Sequence, residues 1–223
     1  MRSTQWLPFF TLLLSGGAAI AQDLPATAAT RAALVPVGWQ IEAEASGDLD
    51  ADGRLDVALV LAGAGIDLST QSDALVGPRR LVIAFAAEGG YERIITNDRL
   101  IPPTDDPDMD DIFDAASDAL RITDGNLVLD LRLFSWAGGW NMWTKTYTFH
   151  WQDGALNLAL FDWSNVDRST GATTLITADY AAHAIKTTHG NIANELETTQ
   201  TEALPSASAV TLDDIVDGMA FEP

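Results

Sequence analysis

From Trp39 onward, apolar and polar residues alternate in short runs, and Gly and Asp residues punctuate the gaps between them. Strict alternation is the mark of a half-buried strand, and the punctuation marks tight turns. Two hairpins follow residue by residue. Asp124-Gly125 is a type I′ turn signal that pairs Ile122 with Leu127 and Leu120 with Leu129, placing four apolar side chains on one face. Asp153-Gly154 does the same, pairing Trp151 with Leu156, Phe149 with Leu158 and Tyr147 with Leu160. Continued without interruption, that register sets Lys145 opposite Asp162, an opposite-charge cross-strand pair. Further strand runs lie near 80–86 and 91–96, joined by Glu88-Gly89-Gly90, and near 39–45, 56–62, 173–179 and 183–188. The total is about ten short strands with tight connections, which predicts a mainly β, antiparallel hairpin or meander domain. A sandwich or a strongly twisted sheet is the expected architecture, with one or two short helices at 110–116 and 212–216.

The flanks differ in character. Residues 1–21 carry Arg2, an apolar run from Trp6 to Leu14 and small residues ending Ala19-Ile20-Ala21, the pattern of a cleaved secretory signal peptide. The apolar run is too short to span a bilayer, which takes about 20 residues. Export to the periplasm or the medium is the expected address, with no transmembrane segment after signal removal. Residues 22–35 are small and polar and read as a lead-in segment, 36–200 as a single β-rich domain, and 201–223 as a carboxyl-terminal tail with a short helix. No repeat of blade or solenoid length recurs along the chain.

Composition narrows the function classes. Twelve Lys and Arg stand against 32 Asp and Glu, for a net charge of −20 that becomes −21 when Arg2 is removed. Phosphate neutralisation takes clustered cations, so nucleic acid is excluded as a partner. The absence of cysteine rules out disulfides, thiolate metal sites and acylation of a lipobox. Hydrophobic residues at 47% are ample for a packed core.

The chemistry concentrates in one loop. Residues 47–56 read Gly-Asp-Leu-Asp-Ala-Asp-Gly-Arg-Leu-Asp, with Asp48, Asp50, Asp52 and Asp56 at positions 1, 3, 5 and 9 and Gly53 at position 6. Ca²⁺ takes six to eight oxygens at ~2.3–2.6 Å, and alternate carboxylates on a curled loop supply them, with the Arg54 carbonyl turned inward. Mg²⁺ holds its waters more tightly and suits such a loop less. With 24 Asp and 17 Gly in 223 positions, chance supplies the motif on the order of 0.002 times. Leu59 stands where an EF-hand has its bidentate Glu, and a strand pattern follows the loop, so a helix–loop–helix is excluded. The loop resembles the β-hairpin calcium loop of integrin-type FG-GAP and VCBS repeats, in which the ninth-position Asp completes the coordination.

At the scale of the chain, the order of motifs resembles an uncharacterised family of small exported bacterial proteins and lipoproteins. The residues that carry the likeness are Gly38-Trp39, Gly47 to Asp56, Trp136 to Trp140, Thr146-Tyr147-Thr148-Phe149 and Thr170-Gly171-Ala172-Thr173-Thr174. The resemblance implies export and a calcium loop, and no known reaction.

Other constellations are weaker. Trp136, Trp140, Trp143 and Trp151 fall close together. Trp143 and Trp151 share the apolar hairpin face, whereas Trp136 and Trp140 flank Gly138-Gly139 and are the candidates for an exposed sugar-stacking platform. The run Asp105–Asp111 reads as a solvated acidic loop more readily than as a second cation site, because it lacks the turn-forming Gly and contains Pro107. His150, His183 and His189 show no zinc spacing. No nucleophile elbow, P-loop or dinucleotide motif occurs. The expected protein is therefore an exported calcium-binding β module, more readily a binding or envelope-associated protein than an enzyme. A calcium-dependent carbohydrate binder is the alternative, and a carboxylate-dependent hydrolase a more distant one.

Overall fold

The computed structural model describes residues 24–63, 77–103, 109–134, 139–204 and 209–223. The expected signal segment lies outside them. One sheet comprises β1 (Thr27–Ala28), β2 (Gln40–Gly47), β3 (Asp56–Ala62), β4 (Arg79–Ala87) and β5 (Gly90–Asn97), in the order β1-β5-β4-β3-β2. The other comprises β6 (Leu120–Thr123), β7 (Asn126–Phe134), β8 (Asn141–Gln152), β9 (Ala155–Asp167), β10 (Ala172–Asp179), β11 (Ala184–Asn191) and β12 (Asn194–Ala203), in reverse sequence order. All pairings are antiparallel. The protein is the mainly β sandwich of two meanders that its alternation predicts.

The main core lies between the sheets. Ala58, Val60, Leu81 and Ile83 from the first sheet meet Leu127, Leu129, Tyr147, Phe149 and Phe161 from the second. A second cluster covers the other face of the first sheet, where Leu24, Leu34 and Trp39 from the amino-terminal segment pack on Val57, Leu59, Leu61 and Val82. Being buried on both faces explains why β3 is a continuous apolar run rather than an alternation. It also shows what the lead-in segment does: β1 pairs with β5, and a 3-10 turn over Arg31–Leu34 drops Leu34 into the second cluster.

Both Asp-Gly turns form, with positive φ at Asp124, Gly125, Asp153 and Gly154, as a type I′ turn requires. The pairs Ile122–Leu127, Leu120–Leu129, Trp151–Leu156 and Phe149–Leu158 stand as expected. The longer hairpin then departs from the simple register. A bulge between Thr148 and Phe149 shifts the pairing, so Tyr147 faces Phe161 rather than Leu160, and Lys145 faces Trp163 rather than Asp162. The bulge keeps Tyr147, Phe149 and Phe161 all inside the core, which an unbroken register would not. Asp162 instead accepts a hydrogen bond from Thr177 Oγ1 at 2.6 Å on the opposite face.

Two strands carry no legible pattern. β1 has two residues, and β12 reads Asn-Glu-Leu-Glu-Thr-Thr-Gln-Thr-Glu-Ala, exposed on both faces wherever its side chains are described. The expected helices are shorter than anticipated. Residues 115–117 form a 3-10 turn capped by Asp114, whose side chain accepts from Ala116 N and which Asp118, at φ 58°, terminates. Residues 212–214 form another, closed by a capping box between Thr211 and Asp214.

The carboxyl-terminal segment runs back across the second sheet. Leu212 and Ile215 enter the core, Leu158 N donates to Val210 O at 2.7 Å, and Tyr147 Oη donates to Gly218 O at 2.5 Å. Lys145, buried beneath it, donates from Nζ to Met219 O and Phe221 O, each at 2.6 Å. Among the described residues no helix is long and apolar enough to cross a membrane.

Candidate metal centre

The acidic loop closes the hairpin between β2 and β3, where Gly47 pairs with Asp56. Gly47 is obligatory for a packing reason: a Cβ there would lie 2.3 Å from Ile122 Cγ2, so only glycine lets β2 approach β6. The same approach sets the loop beside the Asp124-Gly125 turn of the second sheet. Leu49 points from the loop into the main core and anchors it.

Asp48, Asp50 and Asp56 converge, each offering one carboxylate oxygen, and the three oxygens lie within 4.8 Å of one another. An ion with oxygen ligands at ~2.4 Å spans about 4.8 Å across its coordination sphere, so the three oxygens lie close enough to share one oxygen-binding cation. Backbone amides fix the carboxylates from behind. Asp48 accepts from Asp52 N at 3.1 Å and Gly53 N at 3.0 Å, and Asp50 from Asp52 N at 3.1 Å. Ala51 at φ 63° and Gly53 at φ 85° provide the curl.

Asp56 forms the floor. It is 0% exposed and accepts from Leu49 N at 2.8 Å and Ala86 N at 2.9 Å, tying the loop to β4. Burial pushes its carboxyl above the usual aspartate range, the two amides pull it back, and the negative Asp50 adds to the rise. A buried, partly charge-opposed carboxylate beside two others is a donor set that a hard cation would complete.

Asp52 and Arg54 sit differently from the other loop residues. The Asp52 carboxylate accepts from Arg54 Nε at 2.6 Å and from Arg54 N at 2.8 Å, and it stands outside the group of three whose oxygens converge. Arg54 holds Asp52 below its usual range and is itself raised in return.

The remaining expected positions divide. Trp140 is 61% exposed, its carbonyl accepting from Arg168 N at 2.7 Å, while Trp136 lies outside the described residues. Trp143 and Trp151 pack against the core. Asp105, Asp106 and Asp108 also lie outside the described residues. Asp111, at the end of that run, is engaged by Arg79. That arginine is a feature the sequence did not disclose: 2% exposed, it donates to Glu42 at 2.8 and 2.7 Å and to Asp111 at 2.7 and 2.5 Å. Both acids share this one cation, so the cluster of three side chains carries a net charge of −1. The partners are 37 and 32 residues away, beyond any local pattern. His150 lies opposite Asn157 as expected, with Nδ1 3.1 Å from Asn126 Oδ1.

No protein family, curated protein or solved structure matches this chain.

Proposed function

We propose that this chain is an exported β protein that binds one Ca²⁺ at the 48–56 loop, with the ion serving structure and the domain acting as a binding or envelope-associated module. The convergence of Asp48, Asp50 and Asp56 within 4.8 Å carries the reading. The ion supplies the positive charge that allows three carboxylates to crowd together. The chain supplies the rest: Asp56 links the loop to β4, Leu49 fixes it in the core, and the amides of Asp52 and Gly53 aim Asp48. Asp52 is already paired with Arg54, so its carboxylate is shared between the guanidinium and the proposed ion. In a chain without cysteine, such a clasp takes the place of a covalent staple at the start of the sandwich. The signal pattern of residues 1–21 supports the exported address.

Ca²⁺ at ten times its dissociation constant adds about 1.4 kcal/mol. That raises the thermal midpoint of a domain this size by roughly 3–6 °C. Thermal unfolding in EDTA and in Ca²⁺ tests this: equal midpoints at saturating Ca²⁺ remove the structural role.

A second reading, carbohydrate binding through exposed tryptophan, is favoured by the exposure of Trp140.

A further inference from the structure

The sandwich has four sheet edges, formed by β1, β2, β6 and β12. A long open edge is a template for another strand, and natural edges are blunted by shortness, by Pro or Lys, by a bulge or by a covering segment. β2 and β6 lie against each other, since a Cβ on Gly47 would meet Ile122 Cγ2 at 2.3 Å. β1 is only 2 residues long. β12 is the long edge: it has 10 residues and, among the described residues, pairs with β11 alone. It contains no Pro, Lys or Arg, and its pairing runs unbroken from Thr198 to Ala203. The hydroxyls of Thr188 and Thr199, 3.0 Å apart, clamp it to β11. At its start Leu196 N donates to Asn194 Oδ1 at 3.0 Å, so the open stretch runs over 197–203.

What the strand carries is negative charge. It holds three glutamates, of which Glu197 and Glu202 are exposed. Glu202 stands opposite Ile185, which packs on the core, so it lies on the inner face; Glu197, an odd number of residues away, lies on the outer one. Two copies of β12 laid edge to edge would bring together three glutamates from each of two chains of charge −20. Like charges across a strand pair are unfavourable, so the edge selects against a second copy of itself.

We propose that the β12 edge takes up an extended cationic polypeptide segment as an added strand, with Lys or Arg five residues apart to meet Glu197 and Glu202. Residues facing positions 197 and 202 are themselves five apart, and an odd spacing puts the two cations on opposite faces of the added strand, as the two glutamates are. Backbone hydrogen bonds along the edge supply affinity, and the two ion pairs set register and partner. The net charge of −20 draws a cationic segment toward the chain and opposes an anionic one. This site is separate from the acidic loop and does not depend on its ion.

Hydrogen exchange of the purified full chain, with and without excess synthetic octapeptide, tests the assignment. The probe is Thr-Lys-Val-Thr-Val-Thr-Lys-Thr, with its lysines five apart. One control has the same composition with the lysines four apart, and another has Glu in place of both lysines. The probe should slow exchange across 197–203 and bind at least tenfold more tightly than the four-apart control, with no binding of the Glu peptide. The double variant Glu197→Lys, Glu202→Lys should reverse the preference, taking the Glu peptide and losing the probe, at an unchanged thermal midpoint. Should that variant fold poorly, the exchange pattern and the spacing comparison on the unaltered chain decide alone. Protection absent from 197–203 overturns the proposal. Equal binding of the two lysine peptides reduces it to general attraction to an acidic surface and overturns it as well. Protection of 197–203 without peptide, growing with protein concentration, makes a second copy the occupant and overturns the cationic one.

Discussion

Within the acidic loop, residues of one type occupy different environments. Asp56 is sealed under Leu49 and β4, Asp48 and Asp50 face the same small volume, and Asp52 is paired with Arg54. The sequence motif names all four as equivalent ligands, because spacing encodes where side chains start and not which neighbour they prefer. Arg54, two residues from Asp52, is the local signal for this pairing. The two outer aspartates accordingly differ in expected effect: Asp50→Ala weakens Ca²⁺ binding at least tenfold, and Asp52→Ala weakens it less, as metal titrations of the two variants will show. Tyr147 gives a separate test. Its hydroxyl is raised above the usual tyrosine range chiefly by burial, and it donates to Gly218 O. A group with a raised folded pKa contributes stability that is complete below the unfolded pKa of about 10 and is lost as pH climbs beyond it. Urea midpoints should therefore fall above pH 10. In Tyr147→Phe that alkaline fall should shrink, with a cost of about 1–2 kcal/mol at neutral pH for the orphaned carbonyl.

Elements with local causes were legible and elements with distant causes were not. The Asp-Gly turns specify their hairpins because two positive-φ residues fit few other conformations. β3 was legible through six consecutive apolar residues, Val57 to Ala62. β12 was not, because a strand exposed on both faces has no reason to alternate. The Thr148–Phe149 bulge was hidden as well, since it serves the packing of Tyr147 against Phe161 and Phe221, and Phe221 arrives from the far end of the chain. The Glu42–Arg79–Asp111 cluster joins β2 and β4 to the segment before the first 3-10 turn of the second sheet. Arg79→Ala strands two carboxylates, one of them buried, and should cost about 3–5 kcal/mol in equilibrium urea unfolding. A loss under 1 kcal/mol would show that the cluster is not a structural pin.

At the scale of the molecule, the acidic loop is tied to both sheets. It lies beside the Asp124-Gly125 turn of the second sheet, and Asp56 ties it to β4 of the first. The net charge of −20 favours cation uptake at the loop, and the attraction weakens as salt rises. On the proposed reading, Ca²⁺ tightens the opening hairpin of the domain. Isothermal titration of the purified, EDTA-stripped protein with Ca²⁺ tests this most directly. The account requires one saturable site per chain that is lost in the Asp48→Ala, Asp50→Ala double variant while the fold persists. Heat no greater than dilution, or a site indifferent to those two substitutions, would contradict it.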